Sequence, residues 1–126
     1  MKNVKQANIN IRIKDLFFKW LDITYAAHKL PKQKRDILAL FLYHHYLLKG
    51  EITNNKILWK MVFDYDTKLK IKEDLDIDDQ ALQNTLTYYR KNNIIVNGII
   101  NPAFIPNIEV NSKQFKIIYN FNIVDG

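Results

Sequence analysis

Residues 71–101 read IKEDLDIDDQALQNTLTYYRKNNIIVNGIIN and carry the densest run of turn, cap and hairpin signals in the chain. Leu75 and Ile77 flank a tight turn. Asp78 suits the cap of the helix that follows, because a short carboxylate can accept from backbone N–H groups that a first helical turn leaves without partners. Leu82, Leu86 and Tyr89 fall at i, i+4 and i+7 and give that helix one apolar face. Ile94, Ile95 and Val96 make a short apolar strand. Asn97-Gly98 is a strong two-residue hairpin signal, and Ile99-Ile100 returns. Helix, tight turn, helix and two-stranded wing together predict a winged helix-turn-helix.

Upstream, residues 8–14 alternate. Ile9, Ile11 and Ile13 share one side, with Asn10 and Arg12 on the other, the pattern of a half-buried strand. Asp15 can cap a helix running to about His28 with Leu16, Trp20, Ile23 and Ala27 as its stripe. Pro31 marks a break. A second helix from about residue 32 to 48 carries Ile37, Leu38, Phe41, Leu42 and Leu48 inward, and Gly50 ends it. Residues 54–63 predict a short third helix built on Ile57, Leu58, Met61 and Val62.

Downstream, Asn101-Pro102 and Ile105-Pro106 interrupt regular structure. Residues 113–123 then alternate, with Phe115, Ile117, Tyr119, Phe121 and Ile123 on one face, which predicts a long closing strand paired with the wing and the N-terminal strand. The expected fold class is α+β and mainly helical: a winged helix-turn-helix with an N-terminal strand and helix and a long C-terminal strand. One domain spans residues 1–126, divided into a basic arm or strand (1–14), a helical part (15–63) and the helix-turn-helix, wing and closing strand (66–126).

At 126 residues, 48% hydrophobic and 13% aromatic, the chain can bury a core without metal or crosslinks. It has no cysteine, so thiolate metal sites and disulfides are excluded. It also lacks an apolar run long enough for a membrane span and the apolar core of a secretory signal. The expected setting is therefore inside a cell, or a particle assembled there.

The net charge of +6 is uneven: residues 1–35 carry +7 and the remainder −1. A basic N-terminal end suits nucleic acid or an acidic protein surface. Polar termini such as MKNVKQAN order only when something holds them, so this arm is expected to dock on a neighbour through Lys2, Lys5, Arg12 and Lys14.

No catalytic constellation stands out. His28, His44 and His45 are the three histidines, and none has a carboxylate or thiol at metal-ligand spacing. His44 and His45, consecutive on a helix, point about 100° apart and read as packing or surface residues. With three glycines there is no phosphate loop, and the run Glu73, Asp74, Asp76, Asp78, Asp79 lacks the central Gly and terminal Glu of a calcium loop. The expectation is a non-enzymatic protein without cofactor, metal, membrane or small-molecule substrate.

A helix-turn-helix invites the question of DNA. The second helix would offer Gln80, Gln83, Asn84, Thr87 and Tyr88, followed by Arg90 and Lys91. Gln and Asn amides suit adenine edges, and Arg and Lys suit phosphate or guanine. Against this, five carboxylates between Glu73 and Asp79, with Lys70 and Lys72 near them, surround the end of the helix that must approach the duplex. Phosphate contact supplies most non-specific affinity, so that charge is costly there. Protein contact is the stronger expectation and DNA the alternative.

Two blocks carry a family likeness: LFFKWLDITYAAHKLPKQKRDILALFLYHHYLL (16–48) and IKEDLDIDDQALQNTLTYYRKNNIIVNGIINPAFIP (71–106). The run 17–108 resembles small winged helix-turn-helix proteins of tailed bacteriophages, particularly of crAss-like and related Bacteroides-type phages. The exit LTYYRKNNII resembles an LxxLRKKxVI pattern, departing from it with Tyr89 at the usual Leu and Asp78 at the usual Ser or Thr cap. Such proteins serve phages as regulators and as virion parts, including rings between portal and tail. The resemblance thus implies a virion structural protein, a head–tail connector or ring component that self-associates and meets portal-like neighbours in particles assembled in the host cytoplasm. The alternative is a DNA-binding transcriptional regulator in that cytoplasm. The exposed-looking aromatics Tyr43, Tyr46 and Tyr88 are open candidates for an interface.

Overall fold

The computed structural model describes residues 8–109, 113–117 and 122–125. Among them the architecture is mainly helical with one small antiparallel sheet, consistent with an α+β class. Six helices run in the order α1 (Ile13–Ile23), α2 (Tyr25–His28), α3 (Lys32–Lys49), α4 (Asn55–Val62), α5 (Tyr65–Leu75) and α6 (Asp79–Lys91). Strands β1 (Ile95–Val96) and β2 (Ile99–Ile100) follow, then a 3-10 turn at Pro102–Phe104.

The hub is α3. Residues 37–42 are all buried, so this helix is apolar around most of its circumference. It packs against α1, α4, α5 and α6. Ile37, Leu38, Phe41 and Leu42 lie inward as the sequence predicts, Leu48 is half-buried, and the helix closes at Gly50.

Within residues 71–101 the two helices, the turn between them and the hairpin form where the sequence predicts them, from α5 through α6 to β1 and β2. Asp76 adopts the left-handed conformation (φ 52°), which a short polar side chain tolerates, and so ends α5. Asp78 accepts from the Ala81 N–H at 2.8 Å and starts α6. Leu82, Leu86 and Tyr89 are fully buried. At the far end of α6, Asn93 takes φ 58° and the Ile94 N–H donates to the Tyr89 carbonyl at 2.9 Å, the six-residue closure of a Schellman cap. The hairpin pairs Ile95 with Ile100 and Val96 with Ile99. Asn97 and Gly98 sit at φ 54° and 76°, the two positive values a type I′ turn needs.

Other expectations are corrected. Residues 8–12 form no strand; they are exposed, and α1 begins at Ile13. The isoleucines alternate, but among the described residues no third strand stands beside the hairpin to receive them. Ile13, Leu16, Phe17, Trp20 and Leu21 follow a helical period that packs on the core instead. The cap position belongs to Arg12, and Asp15 lies in the first turn, where a carboxylate favours the positive end of the helix. The predicted single helix to His28 breaks at Thr24, whose hydroxyl donates to the Trp20 carbonyl at 2.8 Å. The buried pair is Phe17 and Leu21, while Ile23 and Ala27 are exposed. In α4, Leu58 and Val62 are buried as expected, but Ile57 and Met61 face outward and Trp59 takes their place inside.

The predicted closing strand falls partly outside the described residues at 118–121. Residues 113–117 and 122–125 adopt no strand. Phe115 instead packs edge-on against Trp20, with ring centroids 6.1 Å apart. The chain after the hairpin is anchored by side chains rather than a ladder: the Trp20 indole N–H donates to the Phe104 carbonyl at 2.9 Å and Lys49 Nζ to the Ile108 carbonyl at 2.6 Å.

Candidate functional site

Three elements enclose a groove of about 1100 Å³: α4, the C-terminal end of α6 and the hairpin. Asn54 caps α4 by accepting from the Ile57 N–H at 3.0 Å, which fixes where that helix starts and therefore which way its side chains point. Lys56 and Lys60, one turn apart, line the groove from an exposed face. Trp59 and Phe63, also one turn apart, form an apolar floor that Ile95, Val96 and Ile99 of the hairpin extend. Arg90 enters from the last turn of α6, and Asn55, Asn93 and Asn97 supply amides. No carboxylate lines the groove, and among the described residues no ion pair engages Lys56, Lys60 or Arg90.

The floor is held from behind by a ring stack. His45 lies on Trp59 with centroids 4.4 Å apart and planes 14° from parallel, and Trp59 continues to Phe63 at 6.0 Å. Burial, assisted by the nearby Lys49 charge, pushes the His45 pKa down to about 4, so the imidazole stacks as a neutral ring. His44 is buried too, and its Nε2 has no hydrogen-bond partner among the described residues. Burial and then Lys70 push its pKa down. Both histidines therefore serve packing, and no group of three metal-ligating side chains exists among the described residues.

The outer face of α6 brings most of the suggested DNA-reading residues together. Gln80, Asn84, Thr87, Arg90 and Lys91 are exposed, and Gln83 is half-buried. Gln80 donates to Asn84 at 2.9 Å, so this amide pair already satisfies one of its own contacts. The N-terminal end of the same helix is acidic, and its charge is partly answered within the chain. Lys14 Nζ meets Asp74 at 2.7 Å and Lys72 Nζ meets Asp79 at 3.2 Å. Glu73 and Asp76 are exposed and take no part in an ion pair among the described residues.

Of the basic arm, Lys2 and Lys5 lie outside the described residues. Arg12 stands 4.0 Å from Asp15, and the half-exposed Lys14 pairs with Asp74 at 2.7 Å. Tyr43, Tyr46 and Tyr88 prove half-buried; Tyr43 and Tyr46 flank Phe17, and a lysine lies over each of the three rings (Lys14, Lys49 and Lys34). The sequence reading missed Lys56, Lys60 and Trp59. Their signal was present as two cations one turn apart beside two aromatics one turn apart, but the hairpin that completes the groove is distant in the chain. No helix among the described residues is long and apolar enough to cross a membrane. No protein-family model matches the chain, and neither a curated protein nor a solved structure matches it.

Proposed function

We propose that this chain is a non-enzymatic assembly protein of a phage particle, a head–tail connector or ring component that works through protein–protein contacts on a winged-helix framework. The observation that carries the reading is the charge at the start of α6. A helix-turn-helix reader brings the N-terminal part of its second helix to the major groove. Here Asp76, Asp78 and Asp79 are exposed at that end, with Glu73 beside them. Even with Lys14 and Lys72 each answering one carboxylate, this end stays anionic and is a poor match for phosphate. The likeness of residues 17–108 to phage proteins supplies the setting, with virion location after assembly in the host cytoplasm. The partners are further copies of the chain and portal-like neighbours. Sedimentation of the purified protein over a range of concentrations tests the reading: a discrete oligomer supports it, and a protein monomeric at every concentration and absent from purified particles overturns it.

A second reading, a DNA-binding regulator, is favoured by the outward row of Gln80, Asn84, Thr87 and Lys91, with Gln83 and Arg90 beside it. On that reading Arg90→Ala/Lys91→Ala weakens duplex binding, and binding falls steeply with salt. Binding unchanged by the double substitution removes it.

A further inference from the structure

We infer that the cation-lined groove is the socket for the acidic turn of a second copy of this chain, so that copies join head to tail. This rests on the assembly reading above and names the surfaces that assembly uses. The groove offers Lys56, Lys60 and Arg90 around an apolar floor that includes Trp59 and Val96. A phosphate backbone would use the cations and leave the floor bare. A protein segment carrying carboxylates beside apolar side chains uses both.

The turn between α5 and α6 is such a segment. Glu73, Asp76 and Asp79 are exposed, and Leu75 and Ile77 between them are half-buried. Lys14 and Lys72 occupy Asp74 and Asp79, and Asp78 caps α6, which leaves Glu73 and Asp76 to face a neighbour.

Geometry makes the contact intermolecular. Asp79 opens α6, while Arg90 in its last turn lines the groove, so the helix separates the two surfaces by about 16 Å at 1.5 Å per residue. The turn and the groove of one copy are held apart by that helix and cannot meet. A surface that pairs with a different surface on the next copy is heterologous, and such contacts close into a ring when the rotation between copies permits. Complementary charge fixes the register, and the apolar floor supplies area removed from water.

The test is charge reversal on each side, read by sedimentation at low salt. Lys56→Glu/Lys60→Glu spoils the groove and Glu73→Lys/Asp76→Lys spoils the turn. Each variant alone is expected to self-associate roughly tenfold more weakly or worse. An equimolar mixture regains association, because copies of the two variants then alternate with every turn opposite a groove of complementary charge. Thermal melts report folding, and Lys60→Glu alone, on an exposed helix face, keeps the test readable if a double variant fails to fold. Wild-type association in Lys60→Glu and Lys56→Glu/Lys60→Glu overturns the inference, as does a mixture of folded variants that fails to recover. So does loss of duplex DNA binding in the groove variant with self-association intact, which gives the groove to nucleic acid. A wild type that assembles while the variants assemble equally leaves the assembly reading standing and removes only the socket. A wild type that never self-associates overturns the socket as well.

Discussion

Lys14 Nζ and Asp74 Oδ2 lie 2.7 Å apart across 60 residues of sequence, tying α1 to the end of α5 beside the acidic turn. The same lysine stands 5.9 Å from the Tyr43 ring, so one cation joins α1, α3 and α5. Both side chains of the pair are about 40% exposed, which limits its energetic value. A double-mutant cycle with Lys14→Ala and Asp74→Ala should give a coupling of about 0.5 kcal/mol that shrinks with salt. The larger consequence is for charge: Lys14→Ala makes the start of α6 more anionic and should weaken any residual DNA binding.

Tyr89 shows what the departure from the expected leucine provides. It is fully buried, and its hydroxyl donates to the Lys34 carbonyl in the first turn of α3, locking α6 onto the hub. Burial raises its pKa well above the ordinary value, so the phenol stays a donor at all ordinary pH. Tyr89→Phe keeps the ring and loses the bond, with an expected cost of about 1 kcal/mol in urea unfolding. Tyr89→Ala should cost about 3–5 kcal/mol.

His45 predicts a pH dependence with a definite sign. Its folded pKa is near 4 against an ordinary 6.5, so the unfolded chain takes up a proton that the folded chain refuses. Stability is therefore unaffected by this group above pH 6.5, declines as pH falls from 6.5 towards 4, and loses nothing further from it below that. The loss is on the order of 3 kcal/mol. The difference in melting temperature between His45→Phe and wild type should be constant above pH 6.5 and shift in the variant's favour below it, the variant being the less acid-sensitive. Equal slopes would show that His45 is not the group responsible.

His44 makes the opposite case. A buried Nε2 without a hydrogen-bond partner among the described residues is a polar atom that folding strips of water without return. His44→Leu should leave stability unchanged or raise it by about 1 kcal/mol. A loss of more than that in chemical denaturation would mean that the imidazole makes a contact on which the fold depends.

Gly98 separates backbone strain from crowding. A Cβ there would meet nothing within 4 Å, yet φ is +76°. Gly98→Ala should cost about 1 kcal/mol through the backbone alone, and Gly98→Asn, which tolerates positive φ, should cost less.

The hairpin and second helix were legible because their signals are local. Asp78 and Asn97-Gly98 act within a few residues, and Leu82, Leu86 and Tyr89 share one face by spacing alone. Where the reading failed, the deciding partner lay elsewhere. Ile9, Ile11 and Ile13 alternate, but alternation makes a strand only where a neighbouring strand receives it. Phe115 has the same pattern and finds Trp20 instead. Ile57 and Trp59 compete for the inside of α4, and the choice is made by His45 from α3. The groove was invisible for the same reason, since its cations come from α4 and α6 and its floor from α4 and the hairpin. Lys14, expected to meet a neighbour from the arm, also finds Asp74, a partner 60 residues away that only folding brings near.

We propose that this chain works by joining protein to protein rather than by reading DNA. Light scattering of the untagged protein at low and moderate salt, with and without duplex DNA, measures it directly. A discrete oligomer whose mass does not change when DNA is added is the expected result. A monomer or dimer that moves onto DNA at low salt and leaves it as salt rises would contradict it.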